Sequence, residues 1–304
     1  MLRKGTFILM KTKIQDMTSG SPGRLIILFA IPLMLGNICQ QLYTMVDTMV
    51  VGQVAGVEAL AALGAVDFLM WVVTGISTGL TQGFSIQLSQ YYGAKDFENL
   101  RKSLAHSYRL TAFIAAGVLI LSQSFASLVL TGLHTPSNII GMSLLYLRII
   151  FCGIPATAAY NMFASALRAM GNSKTPLTAM IIASVLNVSL DILFVAGFGW
   201  GVAGAAIATV IAQSFSAVYC FLILRRIDIV HLSRADFMTA TGMNARLMKL
   251  GIPVVFQNII IGVGGLVVQY VINGYGNPRK QTAGARCRVS PAVCFLGLPC
   301  LRCW

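Results

Sequence analysis

Two carboxylic acids, Asp47 and Asp191, lie inside stretches of sequence that are otherwise almost wholly apolar. An acid in such a place is costly unless it faces protein or a watery cavity. Oxygen-bearing side chains accompany both at helical spacing. Around the first stand Asn37, Gln40, Gln41, Thr44 and Thr48, at steps of three and four. Around the second stand Ser184 and Asn187, the latter four residues before Asp191 and so on the same helical face. Thr209, Gln213 and Ser216 form a third stripe beside the small residues Ala205, Ala208 and Ala212, which permit close helix approach. The chemistry this set allows is uptake and release of a proton, or coordination of Na⁺ by carboxylate, amide and hydroxyl oxygens. Three inward stripes imply a shared cavity near mid-membrane.

The elements that must position these groups are membrane helices. The chain has 304 residues, of which 57% are hydrophobic and only 10% charged, with mean hydropathy +0.78. A soluble domain carries about 25% charged residues, so a cytosolic enzyme, a secreted disulfide scaffold and a disordered chain are all excluded. The net charge of +13 fits cytoplasmic loops better than a nucleic-acid partner, and none is expected. Seven apolar stretches of spanning length fall at 25–51, 59–80, 103–130, 139–159, 177–196, 202–224 and 252–272. Lys and Arg fill the segment before the first span and every second loop after it, while loops 52–58, 131–138 and 197–201 contain none. That alternation places the N-terminus in the cytoplasm. No signal-peptide core precedes the first span, which would itself direct insertion.

A slide of 221 positions aligns Ile31-Pro32 with Ile252-Pro253, Asn37-Ile38 with Asn258-Ile259, Val46 with Val267 and Val50 with Val271. Six spans separate the copies, so the repeat is parallel and the seventh span opens a second lobe. The expected organisation is a cytoplasmic segment 1–24, a six-helix lobe 25–224, an inter-lobe loop 225–251 and the first helix of an incomplete lobe at 252–276. The last stretch, 277–304, holds four of seven cysteines and five basic residues, with no acid. Cys300 and Cys303 form a CxxC, but no histidine or second CxxC accompanies them, so the stretch reads as a frameshifted end, not a metal site. Pro32 removes a backbone hydrogen bond ahead of the polar face, and a hinge is expected there. Asp67 and Arg148 are also intramembrane, the first near the end of its span and the second expected to snorkel. Gly75–Gly79 matches GxSxG but follows no strand, so no hydrolase is expected.

Three stretches together resemble the multidrug and toxic compound extrusion (MATE) transporters: AIPLMLGNICQQLYTMVDTMVVGQ, YLRIIFCGIPATAAYNMFASALRAMGNSKTP and NVSLDILFVAGFGWGVAGAAIAT. The resemblance implies an all-α fold of two six-helix bundles in a V, of which this chain carries one lobe and one helix. It implies a bacterial inner-membrane antiporter, driven by H⁺ or Na⁺ with no other cofactor, that exports cationic or amphiphilic drugs. Coupling residues carried over are Asp47, Asn187, Asp191, Thr209 and Asn161, with Tyr43 and Tyr146 as cavity-lining residues and Pro32 as the bending proline. The seventh span offers Gln257, Asn258 and Gln269 but no acid, which places coupling on the first lobe. Two rival expectations are a non-transporting truncated fragment and a lipid-linked oligosaccharide flippase, the latter disfavoured because Arg148 is the single arginine in the apolar parts of the spans, the third of which becomes apolar near Leu110.

Overall fold

The computed structural model describes residues 22–237 and 242–275. The basic residues before position 22 and the cysteine-rich stretch 277–304 lie outside them. The described residues fold into long helices with no strand among them. We number these α1 (Pro22–Val54), α2 (Val57–Gly93), α3 (Phe97–Gly132), α4 (Ile140–Cys152), α5 (Ile154–Ala169), α6 (Lys174–Asp191), α7 (Gly201–Leu224) and α8 (Met243–Tyr275). Six are long and apolar enough to cross a bilayer alone, and α4 with α5 make a seventh, bent span.

That bend corrects the fourth span, which hydropathy presents as one segment at 139–159. The two helices meet at 47°. Pro155, in the first turn of α5, brings no N–H. Gly153 lies so close to α7 that a Cβ there would stand 2.6 Å from Val210 Cγ2. The chain turns where the ladder is already broken. By contrast α1 runs as one helix through Pro32.

Other ends extend beyond the apolar runs. α2 continues past Leu80 to Gly93 because Phe84 and Leu88 keep one face buried, while Thr81 and Ser89 return their hydroxyls to the carbonyls of Ser77 and Ser85. α3 starts at a cap: Asp96 accepts from the Asn99 backbone N–H at 3.1 Å and from its side-chain amide at 2.7 Å. α8 begins nine residues before the expected 252, since Met243 and Leu247 pack inward while Arg246 and Lys249 stay exposed. Beyond Asp191, α6 widens into a π-helical segment, Ile192–Gly197. There Phe194, Phe198 and Trp200 stack at 5.2–6.1 Å, an aromatic cluster suited to a membrane boundary.

Two apolar layers hold the bundle. One gathers Phe84, Leu88, Leu104, Met162, Leu167 and Leu224; the other gathers Val51, Val66, Leu130, Leu147, Phe151 and Val195. Along α6 the residues between Ala179 of the first layer and Val195 of the second include Asn187 and Asp191. Along α7 Thr209 and Gln213 likewise fall between Ala206 and Ala217. The polar set occupies the seam between the layers. Outside, Ile27, Phe113, Leu128, Val185 and Ile260 are among many exposed apolar side chains, as lipid contact requires.

α8 packs chiefly along α2. Gly75, Gly79 and Gly83 line the contact at four-residue spacing, and a Cβ at Gly83 would come within 2.3 Å of Gly251 Cα. Backbones this close exploit small residues on both helices. Asn258 donates to the Gly75 carbonyl at 3.1 Å across the contact. The GxSxG stretch is therefore a helix-packing surface, with Ser77 buried within it.

Candidate ion and substrate pocket

α1, α5, α6 and α7 enclose a pocket lined by Gln40, Tyr43, Tyr160, Met180, Ala183, Ser184, Asn187, Thr209, Ala212, Gln213 and Ser216. The space open to water centres is about 30 Å³, room for a water or two but not for a drug-sized molecule. Its polar walls come from the expected stripes. Asn187 donates weakly to Thr209 Oγ1 at 3.4 Å, and Tyr43 faces Thr44 and Gln213.

The two acids lie behind this wall. Asp47 stands one turn beyond Tyr43 on α1, and Asp191 one turn beyond Asn187 on α6. Asp47 is 7% exposed and Asp191 not at all. Asp191 is close enough to feel the charge of Asp47, and Tyr43 and Tyr146 lie within range of both. Asp47 Oδ1, both Asp191 carboxylate oxygens, Asn187 Oδ1 and Gln213 Oε1 are buried without a hydrogen-bond partner. All five are acceptors. Buried acceptors are nearly always paired, so this cluster suits a partner that complements oxygens: a water in the adjoining pocket, a proton on a carboxyl, or a small cation. Among the described residues no three His, Cys, Asp or Glu side chains cluster as a transition-metal site.

Other candidates fall elsewhere. Asn37 and Gln41 are exposed on the outer side of α1, away from the pocket. Residues 40 and 41 point 100° apart on a helix; Gln40, though also exposed, borders the pocket, and Gln41 does not. Asn161 is on α5 but donates to Thr78 Oγ1 of α2 at 3.1 Å, outside the pocket lining. Asp67 is exposed on α2, and Arg148 on α4, so neither enters the pocket. The sequence reading missed Tyr160, Met180 and Ala183. Tyr160 follows the break at Gly153, which resets the phase of the helix that carries it.

A bundle of spanning helices with buried acids and amides at its centre is the kind of arrangement found in membrane transport proteins. The chain belongs to the MatE family, whose profile matches residues 32–193. It is 31% identical over 281 residues to the probable multidrug resistance protein YpnP of Bacillus subtilis (strain 168), covering 92% of this chain and 63% of that one. It is 24% identical to the multidrug export protein MepA of Staphylococcus saprophyticus, over 89% of this chain and 60% of the relative. A solved MOP superfamily transporter from Pyrococcus furiosus superposes with a TM-score of 0.76 at 25% identity, over 82% of this chain and 55% of that one. The chain thus spans a little under two-thirds of the length of these curated relatives. Members of the family are transporters, not enzymes.

Proposed function

We propose that this chain forms the ion-coupling bundle of a multidrug efflux antiporter. The observation that carries the reading is the cluster of unpaired buried oxygens on Asp47, Asn187, Asp191 and Gln213. A proton or Na⁺ entering there neutralises the acids. Asn187 and Gln213 supply neutral oxygens, and Thr209 orients Asn187. The family's exporters make small organic molecules the expected cargo. Because the pocket is too small for one, cargo binds outside it, between this bundle and a second. The exposed side of α1, with Asn37 and Gln41 among Met34, Ile38 and Leu42, provides such a wall. α8, which repeats α1, would open that second bundle. Ion entry repacks α1 about Pro32 and lowers affinity for cargo, which leaves on the far side. The basic loops support a cytoplasmic N-terminus in the bacterial inner membrane. A flippase is the weaker reading, since Arg148 faces outward and the pocket is lined by no cation.

The test is ethidium efflux from drug-sensitised cells under an imposed pH or Na⁺ gradient. The chain is expressed alone and fused to the remaining helices of a relative. Efflux in the fusion should be lost in Asp47→Asn and Asp191→Asn while membrane insertion stays normal. Unchanged efflux in both variants refutes the assignment. Activity in Na⁺-free buffer identifies the proton as the coupling ion.

A further inference from the structure

α4 presents Gly141, Leu145, Arg148 and Cys152 outward, each three or four residues from the last, as a single exposed stripe. Its surroundings are exposed and apolar: Leu145 is 49% exposed, and Leu121, Phe125 and Leu128 of the adjoining α3 are more so. Arg148 lies eight residues into α4, about 12 Å from the helix start. The facing Gln123 lies nine residues from the end of α3, at matching depth. Gln123 donates to the Arg148 backbone carbonyl at 2.9 Å, which ties the two helices together at this level. No carboxylate lies within 4.0 Å of the guanidinium among the described residues, where the ion pair found is Lys102–Glu98. A permanent cation thus stands on an exposed apolar face without a protein counter-charge among the described residues, and in a bilayer its solvation would come from the membrane.

The geometry says from where. Helical side chains lean toward the N-terminus of their helix, which gives an extended Arg148 side chain reach along α4 toward Ile140 and the 133–139 loop. The way is open: a side chain at Gly141 would meet no atom within 4 Å. Ser127, one turn beyond Gln123 on α3, is exposed beside this path. Loop residues 133–139 contain no Lys or Arg to compete. We propose that Arg148, with Gln123 and Ser127 alongside, binds the phosphate of an anionic phospholipid in the leaflet on the 133–139 side. The planar fork suits bidentate donation to phosphate oxygens, and the lipid's tails cover the Leu145 and Phe125 surface below.

Native mass spectrometry of the detergent-purified chain tests this with phosphatidylglycerol and phosphatidylcholine as probes. Wild type should retain one more phosphatidylglycerol than Arg148→Gln, with roughly fivefold tighter occupancy and no such difference for phosphatidylcholine. Leu145→Asp, which sets a carboxylate one turn from Arg148, should release the same lipid and serves if Arg148→Gln folds poorly. Excess inorganic phosphate should leave the lipid in place. Equal phosphatidylglycerol occupancy in wild type and both variants overturns the proposal. So does displacement by inorganic phosphate, or a wild-type dimer that Arg148→Gln splits, which would make a second copy's carboxylate the partner.

Discussion

Asp191 carries two buried oxygens and no hydrogen-bond partner, an arrangement that works against stability and needs a functional reason to persist. Asp191→Asn brings two N–H donors into a cluster of unpaired acceptors. It should therefore raise stability by about 1 kcal/mol while removing ion-driven efflux, and thermal unfolding in detergent measures the first effect. A marked drop in melting temperature would instead make Asp191 a packing group. The shared face of Asn187 and Asp191 was legible in the sequence because a spacing of four needs only that the segment be helical. The placing of Asn37 and Gln41 was not. The polar arc of α1 is wider than the face its neighbours cover, and spacing alone does not say which edge of the arc turns outward.

Helix–helix contact gives a second set of expectations. At Gly83 an added methyl would press on the Gly251 backbone at 2.3 Å, where no flexible side chain can yield. Gly83→Ala should separate α2 from α8 and cost about 1–3 kcal/mol. Gly64→Ala on the same helix meets nothing within 4 Å and should gain up to about 1 kcal/mol in helix propensity. Thermal unfolding of the two variants tests the contact, and equal effects would dismiss it. The cap of α3 adds a pH dependence. Hydrogen bonds from the Asn99 side chain and backbone hold the Asp96 carboxyl below its usual range, so its stabilising effect is present above that range. The effect fades as pH falls through the lowered value. Wild type should melt above Asp96→Ala at pH 7, with the gap closing below about pH 4; a gap that persists in acid contradicts the cap. The spans themselves could be read from hydropathy, which responds to the apolar run each helix needs. The break at Gly153 could not, because hydropathy is continuous across it and the cause is a neighbour, Val210, brought close by the fold. The extension of α2 past Leu80 was hidden for the opposite reason: Thr, Gln and Ser lower its hydropathy while Phe84 and Leu88 still bury.

At the scale of the whole molecule, charge and packing tell one story from opposite ends. Loops Phe198–Trp200 and 133–139 carry no Lys or Arg, whereas Lys95, Arg168, Lys174, Arg225 and Arg226 flank the turns at the other end of the bundle. At that same end His106 Nδ1 pairs with Asn244 at 2.7 Å and Arg246 donates to Tyr91 at 3.3 Å, fastening the start of α8 to α2 and α3. The fastening and the positive charges share a side, and α1 starts there too, since Gly36 lies beside Leu177 and Met180 near the start of α6, so α8 and α1 run in the same direction. This is what a parallel repeat requires, and α1 and α8 are both 33 residues long with Pro32 and Pro253 at equivalent places. Cations resist crossing toward the outer face, so the basic end should be cytoplasmic. Alkaline phosphatase fused after Gly199 should be active and green fluorescent protein fused there dark, with the reverse after Arg226. Phosphatase activity at Arg226 would invert the molecule, and with it the direction in which ions reaching Asp47 and Asp191 could drive export.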